Sequence, residues 1–112
     1  SGMKHHRLRI KYLAATLICA ANAHAAESYT VSLKGATFTP KEITIPAEQK
    51  VKLTVKNLNP APMEFESYEL NREKVIAGGA QGIVFVGPLD PGSYPFFGEF
   101  NMETAKGQIV AK

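Results

Sequence analysis

The chain has 112 residues, 45% of them hydrophobic, with 13 Lys and Arg against 10 Asp and Glu, one Cys and three His. That length fits a single domain. The first 25 residues hold Lys4, Arg7, Arg9 and Lys11, the one cysteine Cys19, and all three histidines, His5, His6 and His24. Residues 26–112 are therefore left with nine basic against ten acidic side chains, a net charge of about −1, and with neither thiol nor imidazole. Disulfides, Cys/His zinc sites, serine triads and thiol nucleophiles are excluded from that part of the chain. Nor is there an electrostatic case for nucleic-acid binding, which depends on neutralising phosphates.

Ser1 and Gly2 ahead of Met3 read as an expression scar. The basic residues that follow lead an apolar run from Tyr12 to about Ala21, and Ala23, His24 and Ala25 give a small-x-small cleavage pattern. Residues 1–25 are thus predicted to be the scar and a secretory signal peptide, with one exported, soluble domain over 26–112. An apolar run of about ten residues is too short for a membrane anchor, which needs about 20. A lipid anchor at Cys19 is disfavoured by Ile18, where such signals need a small residue.

From Ser28 onward the hydrophobic period is two. Tyr29, Val31 and Leu33 alternate with polar residues in "SYTVSLKG", as do Ile43 and Ile45 in "EITI" and Val51, Leu53 and Val55 in "KVKLTVKN". Such alternation marks strands with one wet face. Further strands are predicted at "MEFES", "GIVFV", "SYPFFG" and "GQIVAK", separated by turn chemistry at Pro46–Glu48, Asn59–Pro62, Gly78-Gly79 and Asp90-Pro91-Gly92. Seven to eight short strands at this spacing predict an all-β sandwich. One stretch departs from the pattern. "SYELNREKVI" is rich in helix formers, with Ser67 as a candidate N-cap, and predicts one or two helical turns with Leu70 facing the core. Phe38, Phe65, Phe85, Tyr94, Phe96 and Phe97 are the expected aromatic core.

Three stretches together resemble the cupredoxin family. "FTPKEITIPAEQKVKLTVKNLNPAPMEFES" resembles its opening half, which leads to a first copper-ligating histidine, and "PLDPGSYPFF" with "AKGQIV" resembles its closing half. The resemblance covers nearly all of residues 26–112 and implies a Greek-key sandwich with a metal site at one end. The family's ligands do not carry over. Counted back from Lys106-Gly107, the methionine falls at Ala105, the second histidine at Asn101 and the cysteine at Phe96, and the first histidine falls at Met63. A type 1 copper centre needs a thiolate and two imidazoles, so none is expected.

A narrower resemblance rests on "MEFESYELNREKVI" and "YPFFGEFNMETAKGQIVAK". These look like the cupredoxin-like proteins that accompany a bacterial high-affinity iron permease and a periplasmic metal-binding protein. Membership implies a periplasmic accessory that binds iron or copper and assists oxidation or transfer of ferrous iron, with that permease and that metal-binding protein as partners.

If the metal end of the sandwich is kept, Met63, Glu99, Asn101, Met102 and Glu103 converge there with Glu64 and Glu66 nearby. Oxygen ligands suit iron, manganese or calcium, and thioether sulfur suits Cu(I), so a mixed Met and Glu set is compatible with a copper or iron site. Alternation forbids one shared site on a regular strand, because Met63 and Phe65 face one way and Glu64 and Glu66 the other. Two arrangements stay open: Met63 with Glu99 and Met102 in a buried site, or Glu64 and Glu66 in a separate surface site. The competing function is a metal-free interaction module that docks on a transporter or periplasmic partner through an apolar patch at Pro60, Pro62, Phe97 and Phe100. A hydrolase is disfavoured, because Ser67 and Ser93 have no base to activate them.

Overall fold

The computed structural model describes residues 27–112, and the predicted scar and signal peptide lie outside the described residues. Nine strands run in chain order: β1 Glu27–Lys34, β2 Thr37–Thr39, β3 Glu42–Ile45, β4 Val51–Asn57, β5 Met63–Ser67, β6 Arg72–Ile76, β7 Gln81–Val86, β8 Gly92–Gly98 and β9 Lys106–Ala111. They form two sheets, one in the order β2-β1-β4-β7 and one in the order β3-β9-β8-β5-β6. All neighbours pair antiparallel except β1 with β4 and β3 with β9. The sole helical piece among the described residues is one 3₁₀ turn, Glu99–Asn101, so none of them forms a helix long and apolar enough to cross a membrane.

The predicted all-β sandwich is therefore the observed fold, with nine strands where seven to eight were expected. Each sheet turns its apolar face inward. Val31, Leu33, Leu53, Val55, Val84 and Val86 from one sheet meet Ile43, Ile45, Phe65, Phe96, Ile109 and Ala111 from the other, all 5% exposed or less. At the centre Phe38 packs edge-on against Phe96, with ring centroids 5.1 Å apart, and against Phe65 at 6.4 Å.

The predicted helix at Ser67–Ile76 is not formed. The chain instead turns through Tyr68–Asn71 and returns as β6, paired with β5 over five residues from Met63↔Ile76 to Ser67↔Arg72. Ser67 does cap this turn, accepting a hydrogen bond from Leu70 N at 3.1 Å, but its hydroxyl also donates to Pro95 O on β8 at 2.6 Å. Asn71 then takes a left-handed conformation, φ +53°, which ends any helix and which Asn tolerates better than most residues. Helix propensity is worth only tenths of a kcal/mol per residue, about 0.7 at most for ordinary residues, and the β5 ladder outweighs it. Leu70 faces the core as expected, 7% exposed.

The aromatic core is also smaller than expected. Phe38, Phe65 and Phe96 are buried, whereas Tyr94 and Phe97 are half-buried and Phe85 is 47% exposed. On β7 the alternation places Gly82, Val84 and Val86 inward, which sends Phe85 to the outer face with Gln81 and Ile83.

Candidate metal centre

Strand β5 sorts its side chains as period two requires. Met63, Phe65 and Ser67 are buried, and Glu64 and Glu66 are half-buried on the outer face of the five-stranded sheet. Strand β8 runs beside β5, with Phe97 opposite Glu66 and Gly98 opposite Phe65. The next residue, Glu99, leaves the strand at the open end of that same face. Its position is fixed by a closed loop, since Gly98 N donates to Ala105 O at 2.8 Å and Ala105 N donates to Asn101 O at 2.7 Å. One carboxylate oxygen from each of Glu64, Glu66 and Glu99 consequently lies within 4.8 Å of the others.

A fourth carboxylate completes the group. Glu73 on β6 stands directly opposite Glu66 in the β5–β6 register. Like charges in facing positions on paired strands oppose each other. Hydrogen bonding to the Glu73 carboxyl and then to Glu99, followed by desolvation and the repulsion of both charges, raises Glu64 to about 7 from an ordinary value of 4.5. Glu66 is raised by desolvation first and then by the charges of Glu99 and Glu73. All the charged groups that shift this pair are glutamates. A group whose folded pKa exceeds its unfolded value favours folding below the unfolded value, and that contribution is lost as pH rises through the folded value. In metal-free buffer, stability is expected to fall between about pH 5 and about pH 8. Urea midpoints across that range check this, and Glu64→Gln should flatten the decline.

The other candidate ligands are placed elsewhere. Met63 is 4% exposed on the inner side of β5, and Met102 is 51% exposed. Met102 borders a shallow groove with Pro95, Phe97 and Lys106, whereas Met63 lines a separate cavity of about 300 Å³ with Glu64, Phe100 and Asn101. The buried arrangement of Met63 with Glu99 and Met102 is therefore not assembled. Glu99 instead joins Glu64 and Glu66 in the surface arrangement, and Asn101 is exposed on the 3₁₀ turn beside it. Glu73 is not among the residues expected at this site, because its segment is rich in helix formers. The alternation of Arg72 and Lys74 with Glu73 and Val75 was the signal for a strand. Of the expected apolar patch, Pro60 and Pro62 are exposed and Phe100 is 69% exposed, but Phe97 packs against Tyr68 with centroids 5.4 Å apart and the rings tilted by 57°.

The end of the sandwich near Met63 is held by asparagines. Asn57, fully buried, donates from its amide to Ala61 O, Ile76 O and Ala77 O at 2.8 to 3.2 Å and accepts from Asn59 N. Asn59 in turn bonds both backbone groups of Gly35 at 2.8 Å. Gly78 must be glycine here, because a Cβ would sit 1.9 Å from Pro60 O.

A two-sheet sandwich with β1 and β3 each paired in parallel, and with a closed loop between its last two strands at one end, is the cupredoxin architecture. The chain belongs to the cupredoxin-like domain family, whose family model matches residues 9–111. It is 34% identical over 80 residues to an uncharacterized protein of Rickettsia prowazekii (strain Madrid E), over 71% of this chain, and it spans 64% of that relative's length. Among solved structures it is similar to auracyanin A, a blue copper protein of Chloroflexus aurantiacus, with a TM-score of 0.69 and 15% identity over 79% of this chain and 100% of that one. It is also similar to the metal-binding domain of a Cu(I)-exporting P-type ATPase of Streptococcus pneumoniae D39, solved with Cu(I), with a TM-score of 0.68 and 15% identity over 76% and 84% of the two chains. These likenesses establish the shared fold. The residues present do not fit a type 1 copper ion: residues 27–112 contain no Cys or His, and Phe96, at the position matched to the cysteine, is 0% exposed among Phe38 and Phe65.

Proposed function

We propose that this cupredoxin-fold protein is a periplasmic metal-binding accessory of bacterial iron uptake, holding iron at Glu64, Glu66 and Glu99, with Glu73 as a fourth carboxylate. The observation that carries the reading is the convergence of Glu64 and Glu66 from β5 with Glu99 from the end of β8, at mutual distances one cation can bridge, with Glu73 of β6 opposite Glu66 on the same face. Carboxylates opposed in this way repel one another, and a bound cation turns that repulsion into attraction. The donors are all hard oxygens, which favours iron over Cu(I), whereas a copper reading would need the thioethers that lie elsewhere. The glutamates by themselves supply the holding and handing-on of ferrous iron. Export to the periplasm rests on the leader, and the iron permease and periplasmic metal-binding protein are the partners that the resemblance of the Glu-Phe-Glu strand and the Glu99-Phe100 loop implies.

Anaerobic titration of the protein with Fe(II), and separate titrations with Cu(I) and Cu(II), test this. Loss of a residue that only orients a ligand costs about 10- to 100-fold in metal affinity, so Glu64→Gln/Glu66→Gln/Glu99→Gln is expected to lose at least ~100-fold toward Fe(II). Equal Fe(II) affinity of this variant and the unaltered protein would sink the assignment. The interaction-module reading keeps one observation in its favour, the exposed Phe100 beside Pro60 and Pro62. It predicts partner binding that survives exhaustive chelation.

A further inference from the structure

The two outer faces of the sandwich carry opposite charge. On the four-stranded sheet the register points Ser28, Thr30, Ser32 and Lys34 of β1 outward with Lys52, Thr54 and Lys56 of β4 and Gln81, Ile83 and Phe85 of β7. Thr37 and Thr39 of β2 complete that face, which thus holds three lysines and no carboxylate. On the five-stranded sheet the outward positions include Glu42, Glu64, Glu66 and Glu73 against Lys106, with Lys112 in the phase of Lys106 one residue past β9. Glu99 extends the acidic row.

The hairpin of β5 and β6 sharpens the separation. Glu73 and Val75 share the outer face with Glu64 and Glu66, whereas Arg72 and Lys74 fall in the opposite phase. Since β6 is an edge strand, that phase reaches toward β7. Arg72 Nε donates to Phe85 O at 2.9 Å, and Lys74 packs beside Gly82. Lys50 adds its ammonium over the Phe85 ring, 4.8 Å from the centroid. Ile83 and Phe85, 40% and 47% exposed, therefore sit among Lys50, Lys52, Lys56, Arg72 and Lys74. The acidic face has its own exposed apolar residues in Val75, 65% exposed, and Tyr68, 69% exposed.

We propose that these faces are the two halves of one contact, in which the lysine face of one copy docks on the glutamate face of a second copy, head to tail. Each half supplies what the other lacks: an excess of charge of one sign around a small exposed apolar centre, on the outer surface of a sheet. Complementary potentials steer encounter and set orientation. Because different faces meet, the contact is heterologous and extends into stacks unless the rotation closes a ring. The association does not require a metal, and an ion on the glutamates competes with it by neutralising the acidic half.

Sedimentation velocity of the full chain in chelator tests the proposal separately from the iron reading, which stands or falls on the titration. The sedimentation coefficient is expected to rise with concentration at ~0.01 M ionic strength, where the screening length is about 30 Å, and to lose that rise at ~1 M, where it is about 3 Å. Lys52→Glu/Lys56→Glu makes the lysine face acidic, and Glu64→Lys/Glu73→Lys makes the glutamate face basic. Each variant alone should sediment as a monomer, and an equimolar mixture should restore the complex. Should circular dichroism show that the lysine variant is unfolded, Lys34→Glu/Lys50→Glu replaces it. The proposal is overturned if the unaltered protein is monomeric at both salts, if either variant associates alone as the unaltered protein does, or if the mixture stays monomeric. Retention of the unaltered protein as a monomer on vesicles of anionic lipid would assign the lysine face to a membrane surface and equally overturn it.

Discussion

Phe96→Ala is expected to destabilise the protein by about 3–5 kcal/mol, the range for removing a fully buried phenylalanine. Phe96 is 0% exposed and is the middle of an aromatic trio, 5.1 Å from both the Phe38 and Phe65 ring centroids. Its ring also contacts the position of Gly107, where an added Cβ would lie 2.7 Å from its Cζ, so backbone and ring are fitted to each other across β8 and β9. Because the trio joins β2, β5 and β8, truncation leaves a cavity that no one strand can close by shifting. Against a total stability of about 5–15 kcal/mol for a typical domain, such a loss takes much of the margin. Urea denaturation measures it, and the neighbouring Phe97→Ala is the control. Phe97 is half-buried on the outer face against Tyr68, and its loss should cost less than about half as much. A cost at Phe96 no larger than at Phe97 would show that this position is not the core centre. The site matched to a metal-ligating cysteine is here occupied by a structural ring, and the candidate metal centre lies on the sheet face.

Asn57→Ala is expected to cost about 3 kcal/mol, because one buried and three part-buried hydrogen bonds are lost together and a buried group left unsatisfied costs about 1–3 kcal/mol. The Asn57 amide has two hydrogens for three carbonyls, those of Ala61, Ile76 and Ala77, and its oxygen accepts from Asn59 N. One side chain therefore ties the Asn57–Pro62 loop to the end of β6. Alanine can neither donate to those carbonyls nor accept from Asn59, and the close Gly78–Pro60 approach leaves little room for water to replace it. Asn59→Ala removes two exposed bonds to Gly35 and should cost about 1 kcal/mol, since water can replace them. Thermal or urea unfolding of the two variants side by side gives the comparison. Similar costs at both positions would show that Asn57 is not the pin of this end of the sandwich.

Much of this was legible from local pattern. Alternation in "KVKLTVKN" and "MEFES" gives the strands and their wet faces directly, because side chains on a strand point alternately to its two sides. The separation of Met63 from Glu64 and Glu66 followed from the same rule and is what the structure shows. "SYELNREKVI" misled for a physical reason: its residues favour helix when considered alone, and only the pairing of β6 to β5 and the Ser67 contact with β8 supply the larger competing energy. Phe85 misled likewise, since a large apolar side chain does not reveal by type which face of its strand is buried. Its neighbours Val84 and Val86 took the inner positions.

The sequence by itself determined the absence of thiol and imidazole from residues 26–112, and with it the exclusion of a type 1 copper site, because composition alone settles which donors exist. It also determined that Glu64 and Glu66 share a face, since that needs only the strand period. Tertiary structure decided that Glu99 and Glu73 join them. Glu99 is 33 residues from Glu66 in the chain and reaches it only because β8 pairs with β5 and ends at Gly98. Glu73 stands opposite Glu66 only because the turn at Tyr68–Asn71 fixes the hairpin register, and a slip of one residue would send it to the other side.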